Sequence, residues 1–309
     1  MLNRRQALKG AMTGMLTLWT SRWARAGQQE APAGRVDRLN DRITVVDGGG
    51  TNVVALSTAN GLVLVDSGHP SYGDRLVAAL NGLAPNSRVH TLFNTHYHLD
   101  QTGNNALVAR SGATIIAHDR TRQWMSTNYW LPDERRYEKS RPQADRPTQT
   151  FVNTGSMEAG GERIDYGYLV SAHSAGDIYV YFKDSNVLVV GGVASPVNDP
   201  ELDWIAGAWI GGRVDAMDRL LEIGNERTRV VPGSGPVMTY AELQAERELM
   251  EMVRQRLFTR IRAGEGAQEM LKGGALDGLK RTWKDPYKFL YSAARGMWGN
   301  HNKLDRDVV

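Results

Sequence analysis

Residues 94–104 read Asn94-Thr95-His96-Tyr97-His98-Leu99-Asp100-Gln101-Thr102-Gly103-Asn104, and this stretch constrains the chain more than any other. It follows Val89-His90-Thr91-Leu92-Phe93, a short apolar run of the kind that forms a buried strand. Gly103 and the asparagines after it signal a turn into a helix. The polar cluster therefore falls at the carboxyl end of a strand, where α/β proteins gather their chemistry. In an extended segment residues i and i+2 point the same way, so His96 and His98 can present two imidazoles to one point. Asp100 continues the alternation and adds a carboxylate. Neutral imidazole nitrogen and carboxylate oxygen are good zinc ligands. An isolated His-x-His is more often a solvated turn. The preceding strand, Asp100 and the Thr-Gly-Asn that follows favour a metal-binding loop here.

The run resembles the His-x-His-x-Asp-His signature of the metallo-β-lactamase superfamily, with Gln101 where that family has its last histidine. Two further motifs appear in the family's order. The apolar run Leu62–Val65 ends in Asp66-Ser67-Gly68, which resembles the family's strand followed by Asp-Thr/Ser-Gly. The resemblance implies that Asp66 braces the metal loop. Ala172-His173-Ser174-Ala175-Gly176-Asp177 resembles the motif that supplies a third imidazole, here His173. The likeness spans about residues 40–240. It implies an α/β (α+β) protein built as a four-layer αββα sandwich of the metallo-β-lactamase type.

His96, His98 and His173 then complete one zinc position. Three protein ligands plus water is the layout of a catalytic zinc site, and such a zinc lowers the pKa of its water to about 7. The resemblance also shows what is replaced. The family's second metal uses a histidine at Gln101, often an aspartate at Gly192, and a histidine at Ser234. Glutamine and serine are weak zinc ligands and glycine offers none, so one Zn2+ per chain is expected. Asp100 is then free to orient or deprotonate the attacking water. Gln101, Ser234 or Ser195 would stand in for the missing metal by stabilising the leaving group. Asp199 and Asp203 are the acids to consider should a further ligand exist.

The reading is a hydrolase in which a zinc-bound hydroxide attacks an ester, lactone or amide, a β-lactam included. Three imidazoles can also hold iron for dioxygen chemistry. That alternative is weakened because the superfamily's iron enzymes keep the aspartate that is Gly192 here. A degenerate member that binds metal or ligand without turnover is the second alternative.

The amino terminus, Met1-Leu2-Asn3-Arg4-Arg5-Gln6-Ala7-Leu8-Lys9, carries paired arginines before a weakly apolar stretch. Ala24-Arg25-Ala26 fits a small-x-small cleavage site. Residues 1–26 thus resemble a twin-arginine export signal, which implies the twin-arginine machinery as a partner and a periplasmic destination. The formal charge of the whole chain is +3. Five of its basic residues lie in 1–26, which contains no acid, so the remainder holds 32 basic and 34 acidic residues, net −2. That balance argues against nucleic acid as a partner and leaves a small-molecule substrate. No apolar run is long enough for a permanent membrane span. The chain has no cysteine, which excludes disulfides, thiol nucleophiles and thiolate-bound metal.

Residues 27–275 read as the metallo-β-lactamase-like domain and 276–309 as a C-terminal helix and loose tail. Arg42–Val46 and Thr51–Leu56 read as a hairpin around Asp47-Gly48-Gly49-Gly50. Helical spacing marks 74–83, 105–110, 213–223 and 242–262. Glu162–Ile164 and Tyr168–Val170 read as two strands. His118, at the end of a predicted strand 114–118, is a weaker ligand candidate. Residues 119–150 form the least regular stretch, with Trp124, Tyr129, Trp130 and Tyr137 among arginines and prolines. Together with Trp204–Trp209, they are expected to shape the substrate site.

Overall fold

The computed structural model describes residues 34–133 and 135–300. The twin-arginine segment, residues 1–26, lies outside the described residues.

Seven strands form the first sheet, side by side in the order β1 (Val36–Arg38), β2 (Ile43–Asp47), β3 (Asn52–Thr58), β4 (Gly61–Val65), β5 (Val89–Phe93), β6 (Thr114–His118) and β9 (Gln149–Phe151). β1 to β4 pair antiparallel, and β4, β5, β6 and β9 pair parallel. The turn between β2 and β3 works as the glycine run predicts: the Asp47 carboxylate accepts from the N–H groups of Gly49 and Gly50, and both glycines have positive φ. The second sheet is β10 (Thr154–Ala159), β11 (Glu162–Tyr168), β12 (Ile178–Phe182), β13 (Val187–Gly191), β14 (Arg229–Pro232) and β15 (Met238–Thr239), in that order. β7 (Tyr129–Leu131) and β8 (Arg136–Glu138) make a hairpin that joins neither sheet.

The two sheets face each other. Val54, Leu56, Val63, Val65 and Phe93 of the first share one buried cluster with Ile164, Ile178, Val180, Phe182 and Val189 of the second. Side chains alternate along a strand, so Val53, Ala55, Leu62 and Leu64 face the other way. They pack with Leu76 and Leu80 of α1 (Gly73–Asn81) and Val108 of α3 (Asn105–Ala109). Behind the second sheet, Tyr179, Tyr181 and Leu188 pack on α5 (Ile210–Ile223), α6 (Tyr240–Arg262), α7 (Ala267–Lys272) and α8 (Pro286–Gly299). The result is helix, sheet, sheet, helix: the four layers expected.

Several local expectations are revised. Residues 162–168 are one strand, not the first of two: Leu169 N–H bonds the Asp177 carbonyl, and Ser171 has a φ of 51°, so the chain turns at 169–171 instead of extending. α5 begins at Ile210, because Gly211 and Gly212 lie against the Trp209 ring and the Ser171 carbonyl rather than in a loop. α6 begins at Tyr240, where Thr239 and Glu242 form a capping box. Residues 119–150 are more regular than they read. They contain α4 (Asp119–Ser126) and the β7–β8 hairpin. The expected C-terminal helix is α8, and its Phe289, Leu290, Ala293 and Met297 are buried in the main core.

Candidate metal centre

Two loops at the carboxyl ends of β5 and β11 build the site. The first follows β5 and runs through α2 (Leu99–Thr102). It is stitched to the turn after β4: Ser67 N–H bonds the Gln101 carbonyl at 2.7 Å, Gly103 N–H bonds the Gly68 carbonyl at 2.9 Å, and the Asn104 amide reaches the carbonyls of Ser67 and His69. Buried Asn94 and Asn105 bond each other, and Ser67 Oγ donates to Asn105. Asp66, buried with a φ of 63°, accepts from Thr95 N at 2.8 Å and Thr95 Oγ1 at 2.7 Å. The second loop carries His173. Asp177 holds it by accepting from the N–H groups of His173 and Ser174 and from Ser174 Oγ. Ile178 N–H bonds the Thr95 carbonyl, which ties the two loops together.

This scaffold brings His96, His98 and His173 to one point. His98 Nδ1 lies 3.1 Å from His173 Nε2, which lies 3.2 Å from His96 Nε2. Each opposite ring nitrogen has an acceptor. His96 Nδ1 is 3.0 Å from Thr95 Oγ1, whose own proton goes to Asp66. His173 Nδ1 is 3.0 Å from the Glu201 carbonyl, and His98 Nε2 is 3.1 Å from Asp203 Oδ2. In the neutral rings the protons belong on those outer nitrogens, which leaves three lone pairs to face inward.

A tetrahedral zinc with Zn–N of about 2.0–2.1 Å separates its ligand nitrogens by about 3.3 Å, close to the 3.1 and 3.2 Å from His173 Nε2 to its two neighbours, and all three nitrogens lie within 4.8 Å of one another. The residues present therefore fit one metal ion. No other group of three or more His, Asp or Glu residues among those described converges in this way.

The surroundings treat the rings differently, and a metal at the site would have to displace the proton that Asp203 favours on His98. Burial, with His173 and His98 close by, holds His96 well below its ordinary pKa, and so neutral. Burial also disfavours charge on His98, but the hydrogen bond and charge of Asp203 outweigh it and push His98 up to about 9. Burial drives Asp66 up to about 8 against the pull of its two Thr95 bonds. Burial acts on Asp203 in the same direction, yet the bonds from His98 and Tyr97 keep it below the usual carboxylate range.

The other predicted residues are dispersed. Asp100 is exposed in the first turn of α2 and is not among the converging ligands, though its charge acts on His98 and Asp66. Gln101 is buried and donates to the Gly233 carbonyl at 3.1 Å, while its Oε1 has no hydrogen-bond partner among the described residues. Ser234 Oγ accepts from Asn198, and Ser195 Oγ accepts from buried Arg213. A Cβ on Gly192 would stand 2.3 Å from the His173 ring, so a side chain there would displace the imidazole. His118 does not join the cluster: its ring stacks on Tyr168, caps α4 and bonds the Val152 carbonyl. Asp199 accepts from the N–H groups of Lys284 and Asp285 at the entry to α8.

A cavity of about 690 Å³ opens beside His98, walled by Tyr97, Tyr129, Leu131, Asp203, Trp204 and Phe289 among others. Trp204 is thus a wall residue. Trp124 stands behind the wall, stacked on Tyr97 at 5.3 Å between ring centres. Sequence reading missed Tyr97 in this structure and left Asp203 only as a spare ligand. Tyr97 was legible as the residue between two ligands; Asp203 carries no motif.

A family model described as "Metallo-beta-lactamase superfamily" matches residues 46–243. The 2,4-dinitroanisole O-demethylase subunit alpha of Nocardioides sp. (strain JS1661) is 24% identical over 244 residues, 77% of this chain and 69% of that protein. Metallo-beta-lactamase type 2 of Bacillus cereus is 26% identical over 190 residues, 60% of this chain and 68% of that protein. Among solved structures, a metallo-beta-lactamase from Pontibacter korlensis superposes with a TM-score of 0.59 at 20% identity, covering 71% of this chain and 99% of that one. The sec-alkylsulfatase Pisa1 from Pseudomonas sp. gives a TM-score of 0.62 at 13% identity, covering 87% of this chain but 50% of that one.

Proposed function

Because the chain belongs to the metallo-β-lactamase superfamily, we propose that it is an exported, zinc-dependent hydrolase. Its substrate is a small molecule with an ester, lactone or amide bond. The observation that carries the reading is the trio of inward-facing nitrogens on His96, His98 and His173, each with its outer nitrogen bonded. Zinc, when bound, supplies Lewis acidity and activates water at neutral pH. The chain's own residues do the rest. The three histidines hold the ion, Asp66 steadies His96 through Thr95, and the cavity beside His98 receives the substrate. Asp100 lies near enough for its negative charge to favour a cation at the site.

One zinc per chain follows from how the remaining positions are used. Gln101 bonds Gly233, Ser234 bonds Asn198, and Gly192 has no room for a side chain beside His173. Asp66, Gln101, Ser234, Trp124 and Trp204 are the surrounding residues of this reading, the last of them in the cavity wall. Export by the twin-arginine route and a periplasmic location are proposed on the Arg4-Arg5 signal alone. No helix of the described residues is long and apolar enough to cross a membrane.

The same occupied positions favour one second reading, a member that binds metal or ligand without turnover. The test is a panel containing an aryl ester, a lactone, an amide, a β-lactam and an aryl methyl ether, the last because one similar protein is named for O-demethylation. Protein stripped by a chelator and reloaded with zinc is expected to turn over at least one of them, and the stripped protein none. Turnover that survives chelation contradicts the hydrolase reading, and metal binding with no turnover across the panel supports the second.

A further inference from the structure

We propose that Asp203 is a positioning residue that fixes how His98 presents its ring, with Nε2 tied outward and Nδ1 left for the metal. The inference rests on the metal-centre reading above. His98 differs from its two partners. His96 and His173 point Nε2 inward, whereas His98 points Nδ1, the nitrogen nearer its own backbone. A histidine can ligate through either nitrogen, and the hydrogen bond made by the other one decides which. For His98 that bond goes to Asp203 Oδ2 at 3.1 Å.

Asp203 is itself held on every side. Its Oδ2 also accepts from the Tyr97 hydroxyl, and its Oδ1 accepts from Ala206 N at 3.1 Å. Its own N–H bonds the His173 carbonyl at 3.0 Å. With the Glu201 carbonyl on His173 Nδ1, the segment 201–203 therefore orients two of the three imidazoles, although it lies outside both histidine loops. Tyr97 is fixed in turn by Trp124 stacked on its face and Tyr129 at its edge. A chain of contacts thus runs from α4 through Tyr97 and Asp203 to His98.

The chemistry of the position demands a carboxylate. Three donors converge on its two oxygens: His98 Nε2–H, Tyr97 O–H and Ala206 N–H. Asparagine offers a single acceptor oxygen, so its NH2 would face a donor whichever way the amide turned. Asp203→Asn should therefore behave nearly as badly as Asp203→Ala, although it is the same size as the native residue.

The experiment measures zinc affinity by competition with a chelating dye for the unaltered protein, Asp203→Ala, Asp203→Asn and Tyr97→Phe. Near-ultraviolet circular dichroism and melting temperature report whether each variant is folded. Both Asp203 variants are expected to bind zinc ~10- to 100-fold more weakly, and Tyr97→Phe severalfold more weakly. Tyr97→Phe removes one hydroxyl and keeps the test decisive should an Asp203 variant fail to fold. Nitrogen-15 spectra of the zinc-loaded protein provide a second readout. His98 is expected to show a metal-bound Nδ1 and a protonated Nε2, a signature lost in Asp203→Asn. Asp203 and Tyr97 variants that bind zinc within twofold of an unaltered protein that itself binds zinc would overturn this inference alone. An unaltered protein that binds no zinc would overturn the metal-centre reading and this inference with it.

Discussion

His96 and His173, at the floor of the site, sit on loops that follow the sheet strands β5 and β11, whereas Leu131, Arg136 and Glu138, in the wall of the cavity beside His98, come from a three-residue-per-strand hairpin that joins neither sheet. The floor residues are fixed by backbone bonds between loops and by paired carboxylates, Asp66 under one loop and Asp177 under the other. Apart from Tyr97, His98 and Leu99 of the metal loop, the wall residues come mainly from β7, β8, the segment 199–205 and the start of α8. The floor is thus set by the fold itself, and the wall can change without disturbing the sheets. That division is why a shared fold does not fix a substrate.

The comparison can be broken most severely at the floor. His173→Ala is expected to remove the metal and reduce turnover to background, measured by elemental analysis and activity on the same preparation. Retained turnover would mean that the chemistry lies elsewhere. Next in size, Gly192→Ala places a Cβ 2.3 Å from the His173 ring. Overpacking of this kind costs about 1–3 kcal/mol, so both melting temperature and zinc affinity should fall. An unchanged zinc affinity would show that the ring position is soft.

In the wall, Lys288→Ala removes an exposed cation that lines the cavity. Metal content and melting temperature should stay as they are, and KM should move by roughly tenfold or less, equivalent to about 1.4 kcal/mol. A loss of metal would erase the distinction between floor and wall. The smallest effect is expected away from both. Arg219→Ala breaks a 2.9 Å exposed ion pair with Glu222 on α5, worth about 0.5 kcal/mol or less. Denaturant unfolding sets this baseline.

Floor and wall also differ in how far the sequence discloses them. The strand before His96, the alternation of His96 and His98, and the order of the Asp66 and His173 motifs are local patterns, and the resemblance they carry implies the fold observed, whereas Asp100 does not continue the alternation because the chain turns into α2 at Leu99. Part of the inter-sheet core was legible for the same reason, since apolar runs such as Ile43–Val46 and Leu62–Val65 announce buried strands. Asp203 was not legible, because its partners His98 and Tyr97 lie over a hundred positions away and only the fold brings them together. Gly211 and Gly212 precede the helix predicted at 213–223 and proved helical, because what they accommodate is the Trp209 ring and the Ser171 carbonyl, contacts no periodicity reports. The strand predicted at 168–170 failed because Ser171 takes up a left-handed conformation that its residue type does not advertise.

The most direct test of the account is the metal content of the purified full-length protein, by elemental analysis beside His173→Ala. About one zinc per chain in the unaltered protein and none in the variant is the predicted result. No metal in either, or the same metal content in both, would contradict the three-histidine centre on which the function rests.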